Sequence, residues 1–456
     1  MNQAIFTHIR KGAFLVAAMA GFAQAAVTPQ EAEQLKTTLT PLGAERTGNK
    51  DGSIPAWTGS GAPVAPGYKT GDRRVDPFAD EKPLFAITAD NMDKYADRLT
   101  DGVKALLKKH PKTFRLDVYP THRTAVAPQY VYEGTLKNAT RARIVEDGEG
   151  IEGAYAGTPF PIPKSGIEVR WNHMARWKGE SSTAKTKIWT VTATGQKVLG
   201  SEVVADEQFP YYFRKGSLES FKGEFYGYRQ LTSAPSFRAG EALLVWDSSN
   251  FAKQDRQAWQ YLVGQRRVRR APTIGEDNPD FVASGANFFD EPFGTQGNPE
   301  RYDYKLVGKK ELFIPYNNNK LFSVKDEQAM GEHHHDPGAV RWELHRVWVV
   351  EATLKAGKRH AVPKRIYYQD EDTWGTAIFE GWDSQGKLWR TELCMAFAAP
   401  DIPATIESYM DFFYNLATGQ YVYRNAMGDS DKQYVSLPPR PESYFSADSL
   451  AGMGVR

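Results

Sequence analysis

The stretch that most constrains the fold of this chain runs from Gly240 to Thr273. It contains three short runs typical of β-strands, Ala242–Trp246, Ala258–Val263 and Arg267–Ala271, which are separated by turn-forming residues. Asp247–Asn250 is such a turn, because Asp, Ser and Asn side chains hydrogen-bond readily to their own backbone. The pattern predicts neighbouring strands joined by tight turns.

The middle strand has a distinct aromatic face. Side chains alternate across a strand, so Trp259 and Tyr261 project to the same side of the sheet. The next strand carries arginines, which predict a polar, basic rim; these are Arg267, Arg269 and Arg270. An apolar ligand suits such a face. A solvated strand edge, protected from aggregation by its charges, is the structural alternative for the arginines.

Most of the chain after Lys187 also has strand-like patterns. In Val340–Leu354, Trp342 and Trp348 share one predicted face, while Glu343 and His345 share the other. The further predicted strands are Ile188–Thr194, Gln196–Val204, Tyr226–Leu231, Lys364–Gln369, Trp374–Trp382, Lys387–Phe397, Asp411–Leu416 and Gln420–Arg424. Aromatic residues make up 12% of the chain, with 27 prolines and 39 glycines, which favours many short strands and tight turns.

Helical patterns are confined to the first part of the chain. Asp90–Lys109 repeats apolar residues at three- and four-residue spacing, and Ser165 with Glu168 forms a capping-box pattern at a helix start. Residues 272–303 are predicted to be irregular. Phe288 and Phe289 lie in this loop, where they either contribute to a ligand site or plug the sheet.

The N-terminus has the features of a secretory signal peptide. Arg10 and Lys11 are followed by the apolar run Gly12–Ala23 and by the small-residue pattern Ala23-Gln24-Ala25. This predicts cleavage after Ala25, export to the periplasm, and a soluble mature chain, because the run is too short to span a bilayer. Cleavage removes two basic and no acidic residues, which leaves 55 of each. A net charge of zero argues against nucleic acid as the main partner.

The sequence offers few candidates for catalysis or metal binding. His333, His334 and His335 are consecutive, so on a strand they would point in opposite directions and would not converge on one ion. Glu343 and His345 could form an acid/base pair, but an exposed ion pair on the sheet surface is the preferred interpretation. No phosphate-binding or dinucleotide-binding motif is present. We therefore expect no enzyme activity, no metal and no cofactor.

Four long stretches resemble the domain of unknown function 1329 family, whose exported Gram-negative members are often labelled outer-membrane lipoprotein-sorting-protein-like. These stretches are Leu39–Gly59, Asp117–Gln129, Arg256–Thr273 and Val340–His360. The resemblance implies a mostly β (α+β) fold: a large antiparallel, strongly curved, half-open β-barrel of the LolA/LolB type, with helices and long loops over its concave face. It defines no catalytic residues. The cluster His333–His335 departs from the family pattern.

The expected organisation is a signal peptide over residues 1–25 and a single LolA-like domain over 26–456, with a helical and extended segment over about 26–185. The expected function is a periplasmic carrier for a hydrophobic small molecule, lipid or lipoprotein acyl chain that works with cell-envelope export machinery. The ligand face would include Trp259, Tyr261, Phe288, Phe289, Trp342 and Trp348. The alternative is an accessory scaffold that binds an inner-membrane RND-type exporter or an outer-membrane protein.

Overall fold

The computed structural model of the protein describes residues 27–272 and 274–452. The predicted signal peptide, residues 1–25, and its cleavage point lie outside these ranges, so they stay predictions. Within the described ranges, no helix combines the length and the apolar character that crossing a membrane requires.

The α-helices of the described chain are few and short. They are α1 (Pro29–Ala32), α2 (Asp101–Lys109), α3 (Gln129–Arg141), α4 (Gly166–Met174), α5 (Asp326–Ala329) and α6 (Ala447–Ala451). The predicted capping box of α4 is confirmed, since the Glu168 carboxylate accepts a hydrogen bond from the Ser165 backbone N–H at 3.1 Å. The long helix α3 was not predicted.

The predicted helix Asp90–Lys109 is wrong in one respect, because it is two elements. Met92–Arg98 forms a 3₁₀ helix, and Leu99 is extended with φ −119° and ψ 139°. Thr100 then caps α2 by accepting a hydrogen bond from the Val103 N–H. A cap residue needs an extended backbone, so the threonine ends one element and starts the next.

The β-strands account for most of the regular structure, as predicted. They are β1 (Phe85–Ile87), β2 (Leu116–Val118), β3 (Arg143–Val145), β4 (Gly150–Glu152), β5 (Ser181–Val191), β6 (Lys197–Gln208), β7 (Glu224–Ala234), β8 (Ala242–Ser248), β9 (Gln257–Leu262), β10 (Arg267–Arg270), β11 (Tyr302–Pro315), β12 (Trp342–Leu354), β13 (Lys364–Asp370), β14 (Thr376–Trp382), β15 (Leu388–Ala399), β16 (Ala404–Asn415), β17 (Tyr421–Ala426) and β18 (Val435–Ser436).

Sixteen of these strands form one sheet in the described chain. Its order is β1-β2-β12-β13-β14-β15-β16-β17-β5-β6-β7-β8-β9-β10, with β11 paired to β12 and β18 paired to β5. The pairings are antiparallel except for the contact between β2 and β12. The pairing of β17 with β5, for example Tyr423 with Trp189, joins the two halves of the chain. The mostly β fold class is thus confirmed.

The strands β8, β9 and β10 form the predicted antiparallel unit and have two covered faces. On one face, Leu244 and Tyr261 pack against Leu450 of α6. On the other face, Leu243 and Val245 pack against Phe289 of the irregular loop. Both faces of this part of the sheet are therefore covered, one by the C-terminal segment and one by the loop.

The pair Glu343 and His345 is buried, so the expectation of an exposed ion pair is wrong. Glu343 is 0% and His345 1% exposed, because other segments cover this face of β12: the His122 N–H and the Asn317 amide donate to Glu343, and the Tyr316 ring lies 4.0 Å from that of His345. In the histidine run, His333 is half-buried, whereas His334 and His335 are buried. The ring of His333 stacks on that of His110 at 5.4 Å, and Nδ1 of His335 lies 2.6 Å from the Tyr414 hydroxyl.

Candidate functional site

A cleft of about 490 Å³ lies beside strands β8 and β9. Four parts of the chain form it: the strand ends, the loop between β6 and β7, the C-terminal segment up to the start of α6, and Tyr155 from the segment between β4 and α4. The lining residues are Tyr155, Gln208, Pro210, Phe213, Gly216, Ser220, Phe221, Lys222, Glu224, Trp246, Gln254, Gln257, Trp259, Arg440, Glu442, Phe445, Ser446 and Ala447. This volume is within the range of about 300–1,000 Å³ that is usual for small-molecule sites.

Two tryptophans form the floor of the cleft. Trp246 of β8 pairs with Gln257 of β9, and Leu244 pairs with Trp259, so both indoles lie on the same face. Glycine at position 227 makes room for the Trp246 ring, since a Cβ atom there would lie 2.6 Å from it. The floor is therefore aromatic, and the close approach of the β7 backbone fixes the Trp246 ring.

One wall is the loop between β6 and β7. The Tyr155 hydroxyl donates a hydrogen bond to the Phe213 carbonyl at 2.7 Å, and the Tyr155 ring lies 5.7 Å from that of Phe221. Gly216 passes so close to the Tyr155 hydroxyl that a Cβ atom there would lie 2.2 Å from it. These contacts hold two phenylalanine side chains against the cleft.

The opposite wall is the C-terminal segment. The Phe445 ring lies 5.5 Å from that of Trp246, and the Trp246 indole N–H donates a hydrogen bond to the Phe445 carbonyl at 2.9 Å. Asp206 of β6 accepts hydrogen bonds from Tyr444 at 2.7 Å and from Arg440 at 2.8 Å. Burial, with a further contribution from Asp206, raises the pKa of Tyr444 to about 12, so its hydroxyl remains a donor.

The mouth of the cleft is polar. Lys222 and Glu442 form an ion pair of 3.1 Å across it, but their side chains are 71% and 83% exposed. Exposed pairs of this kind contribute little to stability, so this bridge can open without a large cost. An aromatic interior with charged groups at its entrance suits an apolar ligand with a polar end.

Of the residues predicted to contact a ligand, Trp259 lines the cleft. Tyr261, two positions further along β9, is 4% exposed and is covered by α6. Phe289 of the irregular loop, which was predicted to share the ligand face with Trp259, packs against the opposite face of β8 and β9. The structure thus places the C-terminal segment where the loop was expected.

The other predicted ligand residues lie apart from this cleft and from one another. Trp342 is fully buried in the main core. Trp348 stacks on Trp374 with ring centroids 6.2 Å apart. The Phe288 ring packs against the guanidinium of Arg390, whose Cζ is 4.2 Å from the ring centroid.

The predicted basic rim lies on β10, at the end of the sheet order. Arg267, Arg269 and Arg270 are all exposed, and Arg270 reaches the Trp259 ring, with its Cζ 5.5 Å from the centroid. The three arginines do not line the cleft itself. Arg270 lies at its edge, while the other two are on the exposed strand.

Sequence reasoning missed most of the cleft. Trp246 carried a usable signal, because strand alternation places it on the face of Leu244, opposite Trp259 on the neighbouring strand. The sequence contains no such signal for Phe213, Phe221 and Phe445, because they come from irregular segments far apart in sequence.

The chain was compared with known protein families and proteins, and both comparisons gave matches. A family model described as a protein of unknown function, DUF1329, matches residues 86–451 of the chain. The uncharacterized protein PA3922 of Pseudomonas aeruginosa is 40% identical over 457 residues, and the match covers 98% of each chain.

Two solved structures are similar to parts of the chain. A DUF1329 family protein from Desulfovibrio piger has a TM-score of 0.42 and 14% identity, and the match covers 62% of this chain and 97% of that one. A LolA superfamily protein from Nitrosomonas europaea has a TM-score of 0.36 and 12% identity, covering 63% of this chain and 100% of that one.

Proposed function

The chain belongs to the DUF1329 family, and from that premise we propose that it is a periplasmic carrier for a hydrophobic, lipid-like molecule. The observation that carries this proposal is the cleft of about 490 Å³ floored by Trp246 and Trp259. A sheet face that served only as core would be filled by side chains. Here the C-terminal segment and the β6–β7 loop leave space between them.

The driving force is removal of apolar surface from water. Each buried methylene contributes about 0.8 kcal/mol, so a chain of about ten methylenes could gain up to roughly 8 kcal/mol before the costs of association. The polar end of the ligand would lie at the mouth, near Lys222 and Arg440. A carboxylate or phosphate there would compete with Glu442 for Lys222.

The proposal also concerns the shape of the fold that would hold the ligand. It includes a strongly curved, half-open barrel of the LolA/LolB type, formed by one domain over residues 26–456. The unbroken antiparallel order from β12 through β17 and β5 to β10 supports it. A crystal structure of the mature chain would test the curvature.

The test is titration of the mature chain with a fluorescent fatty-acid analogue such as cis-parinaric acid. We expect saturable binding by the wild type and at least tenfold weaker binding by Trp259→Gln, because the substitution removes half of the aromatic floor. Trp259 is only half-buried, so most of the stability should remain.

Trp382→Gln is the matched control. Trp382 is also a half-buried strand tryptophan with a cation over its ring, since Lys364 Nζ lies 5.2 Å from the centroid, but it lies on β14, away from the cleft. Its replacement should leave binding unchanged. Equal affinities of the two variants would place the ligand elsewhere.

A second candidate function is an accessory scaffold for an RND-type exporter or an outer-membrane assembly. Exposed apolar side chains at the turns of three hairpins favour it, because antiparallel pairing brings these turns to one end of the sheet. Phe237 is 82%, Val198 43% and Val263 42% exposed. Failure of the wild type to bind any lipid analogue would favour this function over the carrier.

A further inference from the structure

Three consecutive acidic residues lie buried at the turn between β13 and β14. Asp370, Glu371 and Asp372 are 0%, 1% and 3% exposed. Consecutive acids at a strand turn are normally solvated, and buried carboxylates need compensating partners. The cations and hydrogen-bond donors around each carboxylate therefore show which of the three acids is compensated and which is not.

Two of the three acids have cationic partners. Asp372 accepts two hydrogen bonds from the Arg123 guanidinium, at 2.8 and 2.7 Å. Glu371 lies 2.8 Å from Lys309 Nζ and 3.3 Å from an Arg346 nitrogen. Each carboxylate is thus neutralised, although the oxygens of Asp372 keep free lone pairs.

Asp370 differs from its neighbours. Its Oδ2 accepts hydrogen bonds from the backbone N–H and the hydroxyl of Thr373, at 2.9 and 2.8 Å. Its Oδ1 is buried and has no hydrogen-bond partner. His345 lies close by, with its Nδ1 3.7 Å from this oxygen. That distance is too long for a hydrogen bond.

A carboxylate on the other side orients the ring of His345. Nε2 lies 3.2 Å from Glu343, which is itself held by Arg341 and, at 3.0 Å, by Asn317. When Nε2–H donates to Glu343, the lone pair of Nδ1 points toward Asp370. A carboxylate behind a histidine that faces other ligand atoms is the usual second layer of a metal site.

Two further buried polar side chains near this histidine or the β13–β14 turn, Tyr316 and Glu407, also have oxygens without a hydrogen-bond partner. The Tyr316 ring lies 4.0 Å from that of His345, and its hydroxyl has no hydrogen bond. Both carboxylate oxygens of Glu407 are unpartnered. Glu407 packs on Gly375, where a Cβ atom would lie 2.0 Å from its Cγ, and it acts electrostatically on Asp370. Tyr316 is 0% and Glu407 1% exposed, so water does not satisfy them from the surface.

We propose that His345, Asp370 and Asp372 bind a divalent transition-metal ion of the zinc class. One potential ligand atom from each residue lies within 4.8 Å of the others. Tetrahedral bonds of about 2.1 Å place neighbouring ligand atoms about 3.4 Å apart, so the three ligand atoms would have to approach one another by up to about 1.4 Å to close the site. One imidazole nitrogen with carboxylate oxygens is a ligand set that zinc accepts.

The ion would tie β12 to the β13–β14 turn and, through Arg123, to the extended segment before α3. None of these residues lines the cleft, so the site does not depend on the carrier proposal. Because the ligands are buried, the ion would enter during folding. Metal content and stability would then be coupled.

The test uses the mature chain refolded from guanidinium with zinc sulfate or with EDTA, desalted, and measured by elemental analysis and thermal melting. We expect about one zinc per wild-type chain, and a higher melting temperature with zinc than with EDTA. Asp370→Asn should hold less than a tenth of that zinc and melt equally under both conditions. His333→Gln is the control and should behave like the wild type.

Two results would overturn the proposal. One is a wild type that holds no zinc and whose melting temperature is the same after both refolding conditions. The other is zinc that remains in Asp370→Asn but is lost in His333→Gln, which would assign the zinc to the histidine run His333–His335. If Asp370→Asn does not fold, His345→Gln replaces it. The comparison of the wild type refolded with zinc and with EDTA tests the proposal without any variant.

Discussion

Glu380 on β14 shows how strongly this fold changes the protonation of a buried carboxyl group. It is 0% exposed and accepts hydrogen bonds from the Gly102 N–H at the start of α2 and from the Tyr368 hydroxyl at 3.2 Å. Burial raises its pKa from 4.5 to about 7, although the bond from Gly102 lowers it. At neutral pH the group therefore lies near its midpoint.

The sign of the effect follows from proton binding. Between the unfolded pKa of 4.5 and the folded pKa of about 7, the folded chain keeps the Glu380 proton and the unfolded chain releases it. The free energy of unfolding therefore falls as the pH rises through this window. A shift of this size at about 1.4 kcal/mol per pKa unit amounts to roughly 3 kcal/mol.

Glu380→Gln should remove this dependence, because glutamine keeps the shape and does not titrate. The difference in unfolding free energy between variant and wild type should shift by about 2–3 kcal/mol in favour of the variant from pH 5 to pH 8. Guanidinium unfolding followed by tryptophan fluorescence at both pH values measures it. The exposed Glu133→Gln is the control and should show no such shift. A constant difference for Glu380→Gln would refute the reasoning.

Two further predictions concern the cleft and the core. A chain ending at Pro439 should bind the fatty-acid analogue at least tenfold more weakly and show red-shifted tryptophan fluorescence, because it loses the wall formed by Phe445; unchanged affinity in a titration would count against the cleft. Cys394, the single cysteine, is buried, and burial raises its pKa well above the usual range. It should react with Ellman's reagent only after unfolding, and rapid reaction of the native chain would show that the core opens.

Local patterns predicted much of the secondary structure. Alternation in Ala258–Val263 gave β9 within one residue of its observed bounds, and the pair Ser165 and Glu168 marked the start of α4. Side-chain periodicity and capping depend on residues close in sequence, so a single chain contains them. The strand β11 and the helix α3 were missed.

The same patterns did not predict which charged residues would be buried. Glu343 and His345 alternate with apolar neighbours as exposed residues would, but the segments that carry His122 and Tyr316 cover that face of β12. Partners for such residues come from distant segments. Asp370 and Asp372 follow His345 by more than twenty positions, and Arg123 precedes it by more than two hundred.

The cleft depends on tertiary structure to an even greater degree. The sequence placed Trp259 on an aromatic face, but whether that face is open depends on what covers it. Phe213 and Phe445 reach the cleft from segments that the sheet order brings together. The sequence alone determined which residues share a face of a strand, because that depends on a two-residue period. The tertiary structure decided which faces meet, because strand order is set by packing between residues far apart in the chain.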